Sequence, residues 1–363
     1  MSKRFIIAGG GTGGHIFPAI AIANAIKAIV PDAAFLFVGA KGKMEMEKVP
    51  KAGYAIEGLD IAGFNRSSLL KNINLPYKLM LSFLQVQTIF RKFKPNAVIG
   101  VGGYSSFPVL RYAQSKSIPT FIHESNSFAG KSNLLLGKNA TKIFVATTGM
   151  EQFFPASKIM VTGNPIRSSI ANHQITRSQG IAYFGLNEHA TTILAVGGSL
   201  GAASINEALL NGIAAFEKNH LQLIWQTGKT NAAKYASETS TKGNLYISEF
   251  IQDMEYAFAA ADIIISRSGA MTVAEIAVVA KPAILVPYPH AAEDHQTANA
   301  MQLVNEQAAW IVKDADAGST LVNKVVELAL NKEAQEQLIN HIKPLGIANA
   351  DQLIANEIVK LIA

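Results

Sequence analysis

The 363-residue chain is long for one hydrophobic core and comfortable for two domains. It has no cysteine, which excludes disulfides and thiolate metal sites and points to a reducing compartment, and no run approaches the roughly 18 apolar residues of a bilayer span. Through Pro165 there are 19 Lys and Arg against 7 Asp and Glu, a balance of +12, whereas from Ile166 onward 13 stand against 19, a balance of −6. The stretch from Ile61 to His123 has no acidic residue and carries Arg66, Lys71, Lys78, Arg91, Lys92, Lys94, Arg111 and Lys116. A cationic half of this kind suggests a face that meets a polyanion, either membrane or nucleic acid.

Along the chain, apolar runs predict strands at 4–8, 34–38, 97–101, 119–122 and 143–146. They continue at 192–196, 221–225, 245–247, 262–265, 283–286 and 309–312, with helical patterns between them. This is the α/β alternation of parallel sheets covered on both faces. The first strand runs into Gly9-Gly-Gly-Thr-Gly-Gly-His-Ile-Phe-Pro-Ala19 and a helical pattern from Ile16 to Ile29. Strand, glycine turn and helix start bring backbone amides up to an anion, and His15 adds a titratable group at that mouth. Leu194-Ala-Val-Gly-Gly-Ser-Leu-Gly-Ala202 echoes the arrangement, so the pattern restarts near the middle. We expect two doubly wound units: 1–165, with a helix within 344–363 packing back on it, and 166–343. Ligands of such sheets bind beyond the strand carboxyl ends, so two facing units define a cleft.

Gly9, Gly11 and Gly14 also satisfy the G-x-G-x-x-G spacing of dinucleotide folds. The second strand, however, ends in Gly39-Ala-Lys-Gly-Lys43 with no carboxylate to hold a ribose, which counts against NAD. The lysines leave an NADP oxidoreductase open.

Other polar residues fall at strand ends. Gly100-Val-Gly-Gly-Tyr-Ser-Ser-Phe-Pro108 is a second glycine turn, and His123-Glu-Ser-Asn126 follows a strand. Arg167 stands at the domain junction, where its fork of donors suits a diphosphate. Ser199 lies in the second-half glycine turn, and Glu275 sits one turn into the helical pattern opened by Ser266-Arg-Ser-Gly-Ala270. His290, Asp294, His295, Gln296 and Asn299 crowd the loop after the strand at 283–286. Singly, each has a structural use in packing, capping or surface charge. Together, at successive strand ends of both halves, they describe a site. Asp314-Ala-Asp316 has the D-x-D spacing of metal-dependent transferases, but its place before a helical pattern predicts capping. No histidine spacing suggests a metal.

A helix predicted from Pro76 to Phe93 carries Leu75, Leu79, Phe83, Val86, Phe90 and Phe93 as a core stripe. Tyr77, Met80, Leu81 and Leu84 form a second apolar face beside Lys71, Lys78, Arg91 and Lys92. That combination suits an anionic membrane surface; the alternative is a helix buried on both sides. Nucleic-acid binding lacks any accompanying motif.

Taken in order, Gly10-Gly-Thr-Gly-Gly-His15, Gly102-Gly-Tyr104, His123-Glu-Ser-Asn126, Gly163-Asn-Pro-Ile-Arg167, Gly197-Gly-Ser-Leu-Gly-Ala202, Ser266-Arg-Ser-Gly-Ala270 and Asp294-His-Gln296 closely resemble one family. It is the bacterial undecaprenyldiphospho-muramoylpentapeptide β-N-acetylglucosaminyltransferases, the MurG family. The resemblance covers nearly the whole chain. It implies an α/β GT-B fold, two Rossmann-like doubly wound parallel-sheet domains facing a cleft. It further implies inverting, metal-independent transfer of GlcNAc from UDP-GlcNAc to the C4 hydroxyl of polyprenyl-pyrophosphate-linked muramoyl pentapeptide (lipid I), giving lipid II. No cofactor is implied. The setting would be peripheral, on the cytoplasmic face of the cell membrane, with cell-wall and division proteins as partners.

Carried over by position, Thr12, Gly13, Gly14, Asn126, Arg167, Ser199, Ile251, Ala270, Met271, Thr272, Val273, Ala274, Glu275 and Gln296 form the donor-binding set. In that resemblance the Ile251 position frames uracil, Glu275 takes the ribose, and Asn126 and Gln296 hold the sugar. Leu200 and Ser125 each replace a usual glutamine. His15 is the expected general base, since a neutral imidazole suits proton removal near pH 7, and Glu124 is the second choice. Alternatives that share the fold or the glycine turn are a glycolipid synthase, a UDP-GlcNAc epimerase and an NADP oxidoreductase.

Overall fold

The computed structural model describes residues 2–63, 73–172, 174–198, 200–230, 232–239 and 243–362. Arg66 and Lys71 of the cationic stretch, and Ser199 of the second-half glycine turn, lie outside the described residues. The chain divides into two compact units, Met1–Arg167 with Asn349–Ala363, and Ser168–Ala348.

In the first unit, strands β1 (Arg4–Ala8), β2 (Ala34–Ala40), β3 (Ala55–Leu59), β4 (Ala97–Gly100), β5 (Thr120–Glu124), β6 (Lys142–Val145) and β7 (Ile159–Val161) form one sheet. All pairs are parallel, in the order β3-β2-β1-β4-β5-β6-β7. The second unit repeats the logic with β8 (Thr191–Val196), β9 (Leu221–Gln226), β10 (Leu245–Ser248), β11 (Ile263–Ser266), β12 (Ala283–Leu285) and β13 (Trp310–Ile311). Their order is β10-β9-β8-β11-β12-β13, again parallel. In each sheet the winding reverses beside the first strand, between β1 and β4 and between β8 and β11. Loops that leave these neighbouring strands in opposite directions open a crevice at their carboxyl ends.

Successive side chains on a strand point to opposite faces, so β1 divides its residues between two cores. Phe5 and Ile7 pack with helix Gly13–Ile29 and with Ile354, Ala355 and Ile358 of helix Ala350–Leu361. Ile6 and Ala8 pack on the other face with Val86 and Phe90 of helix Leu75–Phe93. Strands β3 and β7 have no counterpart among the strands expected from sequence. Both are edge strands with one neighbour, part-exposed except at Leu59, and so lack the continuous apolar run of a central parallel strand.

Helix Leu75–Phe93 starts one residue earlier than expected and ends at Lys94, whose φ of 51° cannot continue it. Its fully buried stripe is Ser82, Val86 and Phe90; Leu75, Leu79, Phe83 and Phe93 are only half-buried. The expected stripe missed Ser82 because a hydroxyl counts as polar in sequence. In the fold its Oγ donates to the Leu79 carbonyl at 2.6 Å and needs no water. Among the described residues, no helix is long and apolar enough to cross a membrane.

Ile354 is fully buried against the first sheet. Ile354→Ala should therefore destabilise the protein by about 2–5 kcal/mol, read as a lowered urea midpoint in equilibrium unfolding.

Candidate active site

At the carboxyl ends of β1 and β4, two glycine turns touch through bare backbone. A Cβ on Gly9 would lie 2.4 Å from Val101 Cγ2 and 2.8 Å from the Gly102 oxygen, and one on Gly103 would lie 2.6 Å from the Gly10 oxygen. Beneath the first turn lies Glu45, only 1% exposed. Its Oε2 accepts from the Gly11 amide at 2.8 Å, and its Oε1 accepts from the Ala40 amide at 3.0 Å. One carboxylate thus ties the turn after β1 to the end of β2. The sequence pictured this turn as open amides awaiting an anion; the Gly11 amide instead serves an internal one. Burial, and then the Glu45 charge, push the Tyr104 phenol above its ordinary range.

His15 opens helix Gly13–Ile29 and is half-buried. Its Nδ1 stands 3.0 Å from the Gly10 carbonyl and 3.5 Å from the Thr12 hydroxyl. A carbonyl only accepts, which assigns the proton to Nδ1 and the lone pair to Nε2. Nε2 faces Gly102, where a Cβ would come within 2.8 Å of it. With φ at +96°, glycine there satisfies both the backbone and the ring.

The turn after β5 is built differently. Glu124, 4% exposed, accepts from the Asn126 amide (3.1 Å), Asn126 Nδ2 (3.4 Å), the Gly130 amide (3.0 Å) and Asn133 Nδ2 (2.8 Å). Four donors fill both carboxylate oxygens, so Glu124 acts as a clamp on residues 126–133, a structural use that argues against its being a base. Asn126, half-buried, is held by that clamp, and Asn164 Nδ2 donates to the Ser125 carbonyl at 3.0 Å. His123 is fully buried, with Nε2 3.5 Å from the Gly163 carbonyl; burial pushes its pKa down to about 4. Arg167 is half-buried and is the last residue of this part of the first unit.

In the second unit a cavity of about 670 Å³ opens where β8 and β11 end. Gly197, Gly198, Leu200 and Gly201 form one wall, and Ser266, Gly269 and Thr272 another. The glycine wall again lets backbone meet backbone, since a Cβ on Gly201 would lie 2.2 Å from the Thr227 oxygen. Two helices start here, Ala203–Lys218 and Ala270–Val279, behind Ala202 and Gly269, residues without a capping side chain. Such helix starts favour anionic groups. Arg267 anchors a third wall. Its guanidinium bonds Asp314 Oδ1 (2.5 Å), the Val286 and Pro287 carbonyls (3.0 and 3.2 Å) and Ser204 Oγ (3.1 Å), and it stacks over the Tyr288 ring at 5.5 Å. The loop to Gln296 is thereby fixed at its root. Gln296 Oε1 accepts from the Tyr288 amide at 2.9 Å, and the Gln296 carbonyl accepts from Ser268 Oγ at 2.7 Å.

Of the expected donor-binding set the cavity therefore gathers Thr272 and Gln296, and it is also lined by His290. Ala270, Met271, Val273 and Ala274 lie half-buried along the same helix, with Glu275 buried one turn deeper and outside the lining. Ile251 is buried too. Its amide donates to Gln226 Oε1 (3.0 Å), and Gln226 Nε2 donates to the Gly198 carbonyl (3.4 Å), which couples Ile251 to the glycine turn. Thr12, Gly13 and Gly14 belong to the first unit with His15. Asp314 departs from expectation: it pairs with Arg267, and Asp316, which precedes helix Ala317–Leu330, makes no side-chain cap. Among the described residues, no group of three or more His, Asp or Glu could hold a metal ion. On helix Leu75–Phe93, Tyr77, Met80 and Leu84 are exposed, as are Lys78, Arg91 and Lys92, whereas Leu81 is half-buried.

Residues 5–145 match the glycosyltransferase family 28 N-terminal domain, and residues 192–355 match its C-terminal domain. The UDP-N-acetylglucosamine–N-acetylmuramyl-(pentapeptide) pyrophosphoryl-undecaprenol N-acetylglucosamine transferase of Phocaeicola vulgatus is 49% identical, over 99% of this chain and 96% of its own length. The chain belongs to the MurG family of glycosyltransferases. The Bacteroides fragilis transferase of the same name is also 49% identical, over 99% of this chain and 95% of its own. The crystal structure of Acinetobacter baumannii MurG superposes with a TM-score of 0.81 at 29% identity and covers 99% of both chains. Two parallel-sheet units on this MurG template are the GT-B fold. Sequence reasoning missed Glu45 and the Arg267–Asp314 pair, whose partners are distant in the chain and follow no period.

His123 carries a pH dependence with a definite sign. The unfolded ring titrates near 6.5 and the buried ring near 4, so below pH 6.5 the unfolded chain binds the extra proton. Stability should be full above pH 6.5 and fall by about 3 kcal/mol as the pH drops to 4. Denaturant titrations across that range should show the loss, and His123→Asn should flatten it.

Proposed function

We propose that the chain transfers N-acetylglucosamine from UDP-GlcNAc to the C4 hydroxyl of the muramoyl sugar in lipid I, forming lipid II for peptidoglycan. One observation carries this reading: relatives 49% identical over 99% of the chain bear the name of that transferase. The cavity of the second unit supports it, because glycine backbone and two helix starts suit a nucleotide diphosphate.

The reaction is a single displacement with inversion. The acceptor oxygen attacks the anomeric carbon, the bond to the diphosphate breaks with its electron pair leaving on UDP, and the acceptor proton passes to His15 Nε2. The tautomer held by Gly10 supports that direction of proton flow. Arg167, Ser199 and the amides opening helix Ala270–Val279 would stabilise the charge gathering on UDP. Gln296 and Asn126 would orient the sugar, Glu275 would serve the ribose, and Ile251 the uracil. Attachment is peripheral, to the anionic cytoplasmic face of the cell membrane. The exposed Tyr77, Met80 and Leu84, with Lys78 beside them and Arg91 two helical turns beyond Leu84, support that placement.

Radiolabelled transfer from UDP-GlcNAc to a lipid I analogue tests the proposal. Labelled lipid II should form in the presence of EDTA, and His15→Ala should lower kcat by about 10²-fold or more. Labelled UDP-N-acetylmannosamine in place of labelled lipid would overturn the transferase reading in favour of a non-hydrolysing epimerase. A His15→Ala variant of near-normal turnover would remove His15 as the base.

A further inference from the structure

Glu45 and His15 grip the two ends of one peptide group. The Gly11 amide donates to Glu45 Oε2 at 2.8 Å, and the carbonyl of that same Gly10–Gly11 peptide faces His15 Nδ1 at 3.0 Å. The chain of contacts runs carboxylate, N–H, C=O, imidazole N–H, with Nε2 at its far end beside Gly102. We infer that Glu45 is a positioning residue for His15, acting through the Gly10–Gly11 peptide to hold the imidazole with Nδ1 protonated and Nε2 ready to accept. The inference rests on the reading of His15 as general base.

Peptide resonance joins the amide nitrogen to its carbonyl oxygen, so a carboxylate drawing on the N–H makes the carbonyl a better acceptor. A hydrogen bond to an ionised acceptor is also the stronger kind. In carboxylate–histidine pairs of hydrolases and metal sites, a carboxylate fixes the ring tautomer by direct contact. Here a peptide group is interposed. The fold makes room for this at two glycines: a Cβ on Gly39 would fall 2.4 Å from Glu45 Cγ, and one on Gly10 would fall 2.3 Å from the carboxyl carbon. Glu45 is 1% exposed, and its second oxygen is fixed by the Ala40 amide, so the carboxylate has one orientation. The competing partner of Nδ1, the Thr12 hydroxyl, is farther away at 3.5 Å.

The test uses full-length protein with ¹⁵N-labelled histidine, the His15 signals being assigned by their loss in His15→Ala. The wild type should show the Nδ1–H tautomer, and the Gly11 amide proton should resonate far downfield, as for an amide bonded to a carboxylate. In Glu45→Gln the His15 ring should become a mixture of tautomers. Its kcat should fall about tenfold or more, with KM for UDP-GlcNAc little changed. The same substitution in a His15→Ala background should cost no further kcat. An Nε2–H tautomer in the wild type, an ordinary Gly11 amide shift, an unchanged tautomer in Glu45→Gln, or an equal kcat loss without His15 would each overturn the inference. The two wild-type spectra decide it even if Glu45→Gln does not fold. Full activity of His15→Ala would sink the base assignment alone, since the tautomer reports the coupling independently of turnover.

Discussion

Contact of backbone with backbone, with no side chain between, is the constraint around which both units are organised. In the first unit it occurs where the winding reverses, at the ends of β1 and β4; in the second it joins the turn after β8 to the turn after β9, at Gly201 and Thr227. A single Cβ at Gly103 or Gly201 would meet a carbonyl oxygen well inside contact distance. The turns would then have to move apart. Several polar groups are held relative to these turns. Gly10 presents its carbonyl to His15, Gly102 leaves room for the ring, and Gly198 accepts from the glutamine that fixes Ile251.

The two units treat this shared architecture with opposite electrostatics. In the first, an anionic carboxylate lies under the glycine turn and consumes an amide. In the second, the turn and the start of helix Ala270–Val279 face a cavity lined by the half-buried Arg267–Asp314 pair, held by carbonyls and Ser204. A strongly anionic diphosphate is better matched to the second arrangement. The first, with Glu45 under its turn, is poorly matched to an anion. That division agrees with the weak case for a dinucleotide, whose pyrophosphate would meet Glu45 at the turn that was to bind it.

The central strands were legible because strands covered on both faces must be apolar throughout, as Phe5, Ile6, Ile7 and Ala8 are. The glycine turns were legible because few other residues tolerate such approach. The edge strands β3 and β7 were not, since Glu57 or Lys158 next to a short run reads equally well as loop. The partner of Asp314 is not legible either, because a local pattern cannot reveal an arginine 47 positions earlier in sequence. Glu45 gave no signal at all. A lone glutamate entering a short helix is commonplace, and only the folded turn shows that it is enclosed.

The helix Ala350–Leu361 belongs to the core of the first unit although all of the second unit precedes it in the chain. During translation, therefore, the first unit waits with a gap beside Phe5 and Ile7 until the ribosome has finished the second. The unit begun first is completed last, and its unfinished apolar flank is the surface a nascent-chain chaperone would meet.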